Sequence, residues 1–182
     1  MSLFDWKQRL SVVVESTQRA LELFASSTTQ EPVSFFAYRS DHRNGIALLS
    51  LDTPSCALHN AKKHAARIDQ RRRRALSSKE AWRHARYYLR DESMSLLDYT
   101  YCSQLFRYDS FAQLTFPEWE SMASEDDSQE MEGRVIVFFW KAIDQLIANN
   151  AFRCLQMHSP FRVGLELMDD PLTVLGILNW PS

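Results

Sequence analysis

The chain has 182 residues, of which 45% are apolar, 24% are charged and 12% are aromatic, and its formal net charge is −2. This composition is too apolar and too aromatic for a disordered chain, and only 4 glycines and 6 prolines exclude a collagen-like protein. It predicts one globular domain over residues 1–182, large enough to fold without a disulfide or a structural metal ion.

The three cysteines, Cys56, Cys102 and Cys154, are far apart in the sequence and form no C-x-x-C pair. Such usage is typical of a reducing compartment and not of a disulfide framework. No stretch approaches the ~18 consecutive apolar residues of a membrane span, and the first residues lack the basic and apolar regions of a signal peptide. We therefore expect a cytoplasmic protein with no membrane partner.

The first part of the sequence predicts a helix, a hairpin and a second helix. Apolar residues recur in steps of three and four over residues 3–26, which is typical of an amphipathic helix. Residues 33–39 and 46–51 are rich in strand formers and flank a polar loop with an Asn-Gly pair, so they predict an antiparallel hairpin. A Thr-Pro pair then begins a basic helix, predicted over residues 54–73.

The second part of the sequence predicts three helices and one strand. A short helix over residues 78–89 is followed by the least regular segment, residues 91–130, which mixes aromatic and acidic side chains. An apolar stripe predicts a long helix over residues 131–149, and alternation predicts a half-buried strand over residues 161–167. An Asp-Pro pair predicts a short closing helix over residues 170–179.

A hairpin, several helices and a late strand predict the α+β class. The expected architecture is a small, mostly antiparallel sheet with helices packed on it, which is a two-layer sandwich. The strand at residues 161–167 should join the hairpin in this sheet. The apolar stripes of residues 3–25 and 135–147 should pack against it.

Two blocks of opposite charge lie next to each other in the sequence. Residues 60–90 contain 11 basic and 2 acidic side chains, whereas residues 91–132 contain 11 acidic side chains and Arg107 as their one base. The two blocks could face each other within the fold. Alternatively, at least one of them presents its electric field to a partner.

Patterns for catalysis and metal binding are weak. Cys56 and His59 are spaced so that a Cys–His pair is possible at the start of a helix, but a small apolar packing residue explains Cys56 more simply. His59 and His64 are five residues apart, a spacing that does not place two zinc ligands on one helix face. No phosphate-binding glycine loop and no G-x-S-x-G occurs. We therefore expect no enzyme, no cofactor and no metal.

Nucleic-acid binding through residues 62–90 is the alternative function. The run Arg71 to Arg74 is followed by Trp82, Tyr87 and Tyr88, which could stack on bases. Four consecutive arginines, however, point around a whole helix, and an equally strong acidic block follows. This function therefore ranks below a role in binding a protein.

Several short sequence patterns of the chain occur together in one known family. They are Phe35-Phe36-Ala37-Tyr38-Arg39-Ser40-Asp41, Leu51-Asp52-Thr53, the helical segment from Phe138 to Phe152, Met168-Asp169-Asp170 and Leu178-Asn179-Trp180-Pro181. With this set the chain resembles, over roughly residues 10–181, the bacterial domain-of-unknown-function 4303 family. The resemblance implies a small α+β protein without catalytic residues, which acts as the immunity protein of a polymorphic or type VI secreted toxin.

Together, the charge pattern and the resemblance predict an immunity protein that binds and neutralises a cognate antibacterial toxin, for which we expect a nuclease. Toxins that cut nucleic acid have basic clefts, so an acidic surface on the inhibitor accelerates and orients the encounter. The predicted partner-binding residues are Glu118, Trp119, Glu120, Glu125, Asp126, Asp127, Glu130 and Glu132. Residues 124–128 should form an exposed loop, with Trp119 beside it as an aromatic anchor at the edge of the interface.

Overall fold

A computed structural model of the chain describes residues 5–27, 31–76, 103–119, 128–167 and 172–179. Its helices and strands are α1 (Trp6–Ser27), β1 (Val33–Asp41), β2 (Ile46–Asp52), α2 (Pro54–Leu76), β3 (Tyr108–Thr115), α3 (Ser128–Ala148), β4 (Met157–Leu167) and β5 (Thr173–Leu178). The chain divides into two compact units, Met1–Pro54 with Cys102–Ser182, and Ser55–Tyr101. That residues 1–182 form one domain stays a prediction.

The described strands form one mixed sheet in the first unit, in the order β3-β2-β1-β4-β5. The pairs β1–β2, β2–β3 and β4–β5 are antiparallel, and β1 and β4 are parallel. The predicted α+β class and the mostly antiparallel sheet are confirmed. The predicted hairpin is β1 and β2, and the late strand joins the sheet beside β1, as expected.

Both long helices of the first unit pack on one face of the sheet. The buried residues of this core include Leu21 and Val13 of α1, Phe36 and Tyr38 of β1, Leu49 and Leu51 of β2, Phe139 and Ile143 of α3, and Val163 and Leu165 of β4. The predicted apolar stripes are therefore the ones that face the sheet. Within this core the Thr17 and Tyr38 hydroxyls share a hydrogen bond of 2.6 Å, and burial raises the pKa of Tyr38.

Two local contacts fix the beginning of α1 and the hairpin turn. The Asp5 carboxylate accepts hydrogen bonds from the backbone N–H groups of Lys7 and Gln8, both at 3.0 Å, and so caps α1. Gly45 closes the turn between β1 and β2 with φ of 60°, and a Cβ there would lie 2.3 Å from the Phe116 carbonyl oxygen. The Asn-Gly pair in the sequence therefore marks a position that requires glycine.

Two elements differ from the sequence prediction. The predicted closing helix over residues 170–179 is wrong, because Thr173–Leu178 is strand β5 and pairs with β4 through positions such as Phe161 and Leu178. Strand β3 lies in the irregular segment 91–130, where the sequence predicts no strand. The predicted helix over residues 78–89 lies outside the described residues.

The described part of the second unit is helix α2, which confirms the basic helix predicted over residues 54–73 and extends it to Leu76. Ala57, Ala61 and Ala65 are buried, and they follow one another at intervals of one turn. Among the residues that the structure describes, no helix combines the length and the apolar character that crossing a membrane requires.

Candidate partner-binding surface

Trp119 lies inside the first unit and not at its surface. The ring is fully buried and stacks on Phe116 with ring centroids 4.0 Å apart. Trp6 and Phe138 flank it, with centroids at 6.1 Å and 6.0 Å. The expectation that Trp119 is an exposed anchor is therefore wrong, because a helical turn at residues 117–119 directs this large ring into an aromatic cluster.

Glu118, the residue before it, pairs with Arg9 of α1. The two side chains are 41% and 37% exposed, so the pair lies at the surface and links the turn after β3 to α1. Because an ion pair of this exposure is worth at most about 1 kcal/mol, it orients Glu118 more than it stabilises the fold. Glu118 is therefore already engaged within the molecule.

The other predicted acids that the structure describes belong to the start of α3. Glu130 is exposed and forms an ion pair of 2.5 Å with Arg134, one turn further along the helix. Its position in the first turn also suits the partial positive charge of a helix N-terminus. Glu132 is half-buried. Glu120, Glu125, Asp126 and Asp127 lie outside the described residues.

Three acids of the segment 91–132 have arginine partners, and none of these arginines comes from the basic block at residues 60–90. The pairs are Asp109 with Arg39, Glu118 with Arg9, and Glu130 with Arg134. Within the described residues, the acidic segment is thus partly neutralised by arginines of β1, α1 and α3. These three pairs, each between described residues, form without a cation of the basic block.

The outward side of α3 presents an apolar centre between two acids. Trp140 and Val137 are 50% and 49% exposed, in contrast to the buried Phe139 of the same helix. With 3.6 residues per turn, Glu130, Val137, Trp140 and Asp144 fall on the side of the helix opposite the centre of its buried stripe, which lies at Val135 and Ala142. All four are exposed. We call these four residues the outer face of α3.

Trp140 is not among the residues that the sequence predicts to bind a partner. Trp140 belongs to a long apolar helix, and the apolar stripe of that helix predicts only which side packs against the sheet. A helical wheel identifies it, because Trp140 and Val137 lie opposite the buried Val135 and Ala142. An exposed tryptophan flanked by another exposed apolar residue is the usual composition of a protein-binding anchor.

A polar network on the second face of the sheet has a structural role. Ser110 has φ of 53° within β3, and its backbone N–H donates to the Ser50 hydroxyl at 3.1 Å. Arg39 of β1 donates to the Ser110 hydroxyl at 3.1 Å and pairs with Asp109 at 3.3 Å. Both serine hydroxyls donate to the Asp109 carboxylate, at 3.2 Å from Ser50 and 3.0 Å from Ser110, and these contacts hold an irregularity in β3.

A groove and the Cys56 thiol are two further features of the described residues. A groove of about 330 Å³ lies between α1 and β3, and its one charged lining residue, Arg9, is paired with Glu118. The Cys56 thiol accepts a hydrogen bond of 3.4 Å from the Asn60 side chain. Among the described residues, no group of three His, Cys, Asp or Glu side chains is placed to hold a metal ion.

Comparisons of the chain with protein-family models, with curated proteins and with solved structures find no match. The resemblance to the domain-of-unknown-function 4303 family therefore stays a prediction, and so does the immunity function that it implies. The geometry of the described residues remains as the basis for a proposal, and its most distinctive exposed feature is the outer face of α3.

Proposed function

We propose that this chain is an immunity protein that binds a cognate antibacterial toxin, expected to be a nuclease, and neutralises it through a protein–protein interface. The single observation that supports the proposal is the outer face of α3, where Trp140 and Val137 are half exposed between Glu130 and Asp144. The proposal needs no catalytic residue in this chain. Inhibition then comes from occupying a surface of the toxin.

The chemistry of this face suits a basic protein partner. Tryptophan is enriched among the few residues that provide most of the binding energy of an interface, and such residues lie near its centre. Charged residues are depleted at the centre of interfaces and lie at the polar rim. On α3 the apolar pair lies between Glu130, which is paired with Arg134, and Asp144, and the exposed Lys141 lies beside it. The apolar pair matches an apolar recess on the toxin, and Asp144 would face a basic group at its edge.

The sequence places further acids next to this face. Glu125, Asp126 and Asp127, which lie outside the described residues, directly precede α3 in the sequence. In the proposal they add to the acidic rim at the Glu130 end of the outer face. In the proposal, Trp140 is the aromatic anchor of the interface in place of Trp119.

The test uses the protein encoded next to this chain, expressed with and without it in the same cells. We expect that protein to be toxic alone and the full chain to protect the cells. Trp140→Ala should weaken binding of the purified toxin by at least about 30-fold, the loss that defines an interface hot spot.

The matched control is Leu23→Ala, which removes an exposed apolar side chain of similar accessibility from α1. Leu23 is 62% exposed, so this change should leave affinity within about threefold of the unmodified chain. Failure of the full chain to protect would overturn the immunity function. Protection together with equal affinities of the two variants would instead overturn the assignment of the interface to α3.

A further inference from the structure

Helix α2 presents a basic stripe on its exposed side. His59, Lys62, Lys63, Gln70 and Arg73 are all exposed. At 100° per residue these five side chains fall within an arc of about 100° of the helix surface. The buried alanines of α2 lie on the other side, so α2 has one covered side and one polar side.

Three side chains of this stripe are cations with no ion-pair partner among the described residues. Within the described part of the chain, Lys62, Lys63 and Arg73 form no ion pair, whereas Arg9, Arg39 and Arg134 each hold an acid. Across the whole of α2, the sequence has seven Lys and Arg residues and Asp69 as its one acid. A concentration of like charge without a partner costs self-repulsion, and an external polyanion would relieve it.

We propose that the exposed stripe of α2 binds the phosphate backbone of double-stranded DNA. All five side chains of the stripe can donate hydrogen bonds, and these are residue types that contact phosphate oxygens in protein–DNA complexes. From Lys62 to Arg73 the stripe extends about 16 Å along the helix axis, over which a duplex presents roughly ten negative charges.

The stripe shows how a helix with four consecutive arginines can still have one basic side. Four consecutive arginines do point around the helix, but the exposed Arg73 lines up with Lys62 and Lys63 on one side. The binding surface is therefore set by the helical spacing of three cations and not by the run itself. This inference is independent of the proposed immunity function, because it involves a different element and a different class of partner.

The experiment measures binding of the full chain to a mixed-sequence DNA duplex by fluorescence anisotropy over a range of salt concentrations. Three phosphate contacts predict a slope of about −2.7 in a plot of log affinity against log salt, which is about a 40-fold loss between 50 and 200 mM. The triple variant Lys62→Gln, Lys63→Gln, Arg73→Gln should lose that slope and bind at least about tenfold more weakly at low salt.

The matched control removes two lysines and one arginine from other exposed positions, as Lys7→Gln, Arg43→Gln and Lys141→Gln. Because both triple variants change the net charge equally, the control should keep the slope and stay within about threefold of the unmodified affinity. Absence of binding at about 50 mM salt, or equal loss in both triple variants, would overturn the proposal. Tighter binding to polyglutamate than to the duplex would also overturn it, since the partner would then be an acidic protein.

Discussion

Replacement by alanine should change the unfolding free energy in opposite directions at two glycines of the first unit. Gly45→Ala should destabilise the protein by more than about 1 kcal/mol, because φ there is 60° and the new Cβ would lie 2.3 Å from the Phe116 carbonyl oxygen. Gly133→Ala in α3 should stabilise it by about 0.5–1 kcal/mol, since nothing lies within 4 Å and alanine favours the helix. Urea unfolding of both variants measures the difference, and equal shifts would contradict the turn geometry at Gly45.

Two tryptophans show which residues a sequence can assign to a surface. The acidic neighbours of Trp119 predict exposure, yet its ring packs against Trp6 and Phe138, which come from distant parts of the chain. No local pattern contains that information. Trp140, in contrast, is exposed for a local reason, because helical periodicity places it opposite the buried Val135 and Ala142 of the same helix.

At the level of elements, the packing of α3 on the sheet has a direct test. Phe139 is fully buried, and its ring centroid lies 4.7 Å from that of Tyr38 and 6.0 Å from that of Trp119. Phe139→Ala should therefore cost about 3–5 kcal/mol of unfolding free energy, because the lost ring leaves a cavity.

The control for this prediction is Val137→Ala on the same helix. Val137 is 49% exposed, so the change should alter the unfolding free energy by less than about 0.5 kcal/mol. A loss below about 1 kcal/mol for Phe139→Ala would mean that the ring is not enclosed by the sheet, and the assignment of buried and outward sides of α3 would have to be reversed.

Elements with regular periodicity are predicted from the sequence, and those whose pattern is interrupted are not. In β3 the residues 109–111 all lie opposite Ser50 of β2, since Leu51 pairs with Tyr108 and Leu49 with Ala112. This insertion breaks the alternation that identifies a strand. In β5 the Asp-Pro start resembles a helix, but hydrogen bonding to β4 and the β-branched residues of the segment favour a strand.

At the scale of the whole molecule, the near-neutral net charge results from a basic and an acidic block of the sequence. The described residues of the two blocks differ in their ion pairs. The described acids Asp109, Glu118 and Glu130 have arginine partners, whereas Lys62, Lys63 and Arg73, the cations of α2 whose side chains the structure describes, form no ion pair with described residues. The sequence shows the asymmetry of charge, and its spacing indicates the pair of Glu130 with Arg134 one turn along α3. It does not show the pairs of Asp109 with Arg39 and of Glu118 with Arg9, because these join residues far apart in the chain.

The acids that precede α3 provide the last prediction, which concerns the rate of toxin binding. Reversal of Glu125, Asp126 and Asp127 to Lys should slow association with the toxin, most strongly at low salt, because charges at the rim of an interface act on the encounter. Trp140→Ala should instead accelerate dissociation, since a central aromatic anchor acts after contact is made. Stopped-flow kinetics at two salt concentrations separates the two effects.

The control reverses three exposed acids elsewhere, Glu15, Glu22 and Glu31, to Lys, so that the net charge changes by the same amount. If only the net charge of the molecule steers the encounter, both triple variants should slow association equally. If the acids next to α3 form the rim of the interface, their reversal should have the larger effect, and raising the salt concentration should reduce the difference. An association rate unchanged by the reversal of Glu125, Asp126 and Asp127 would show that these acids serve only as internal counter-charges, and the steering surface would then have to include other residues.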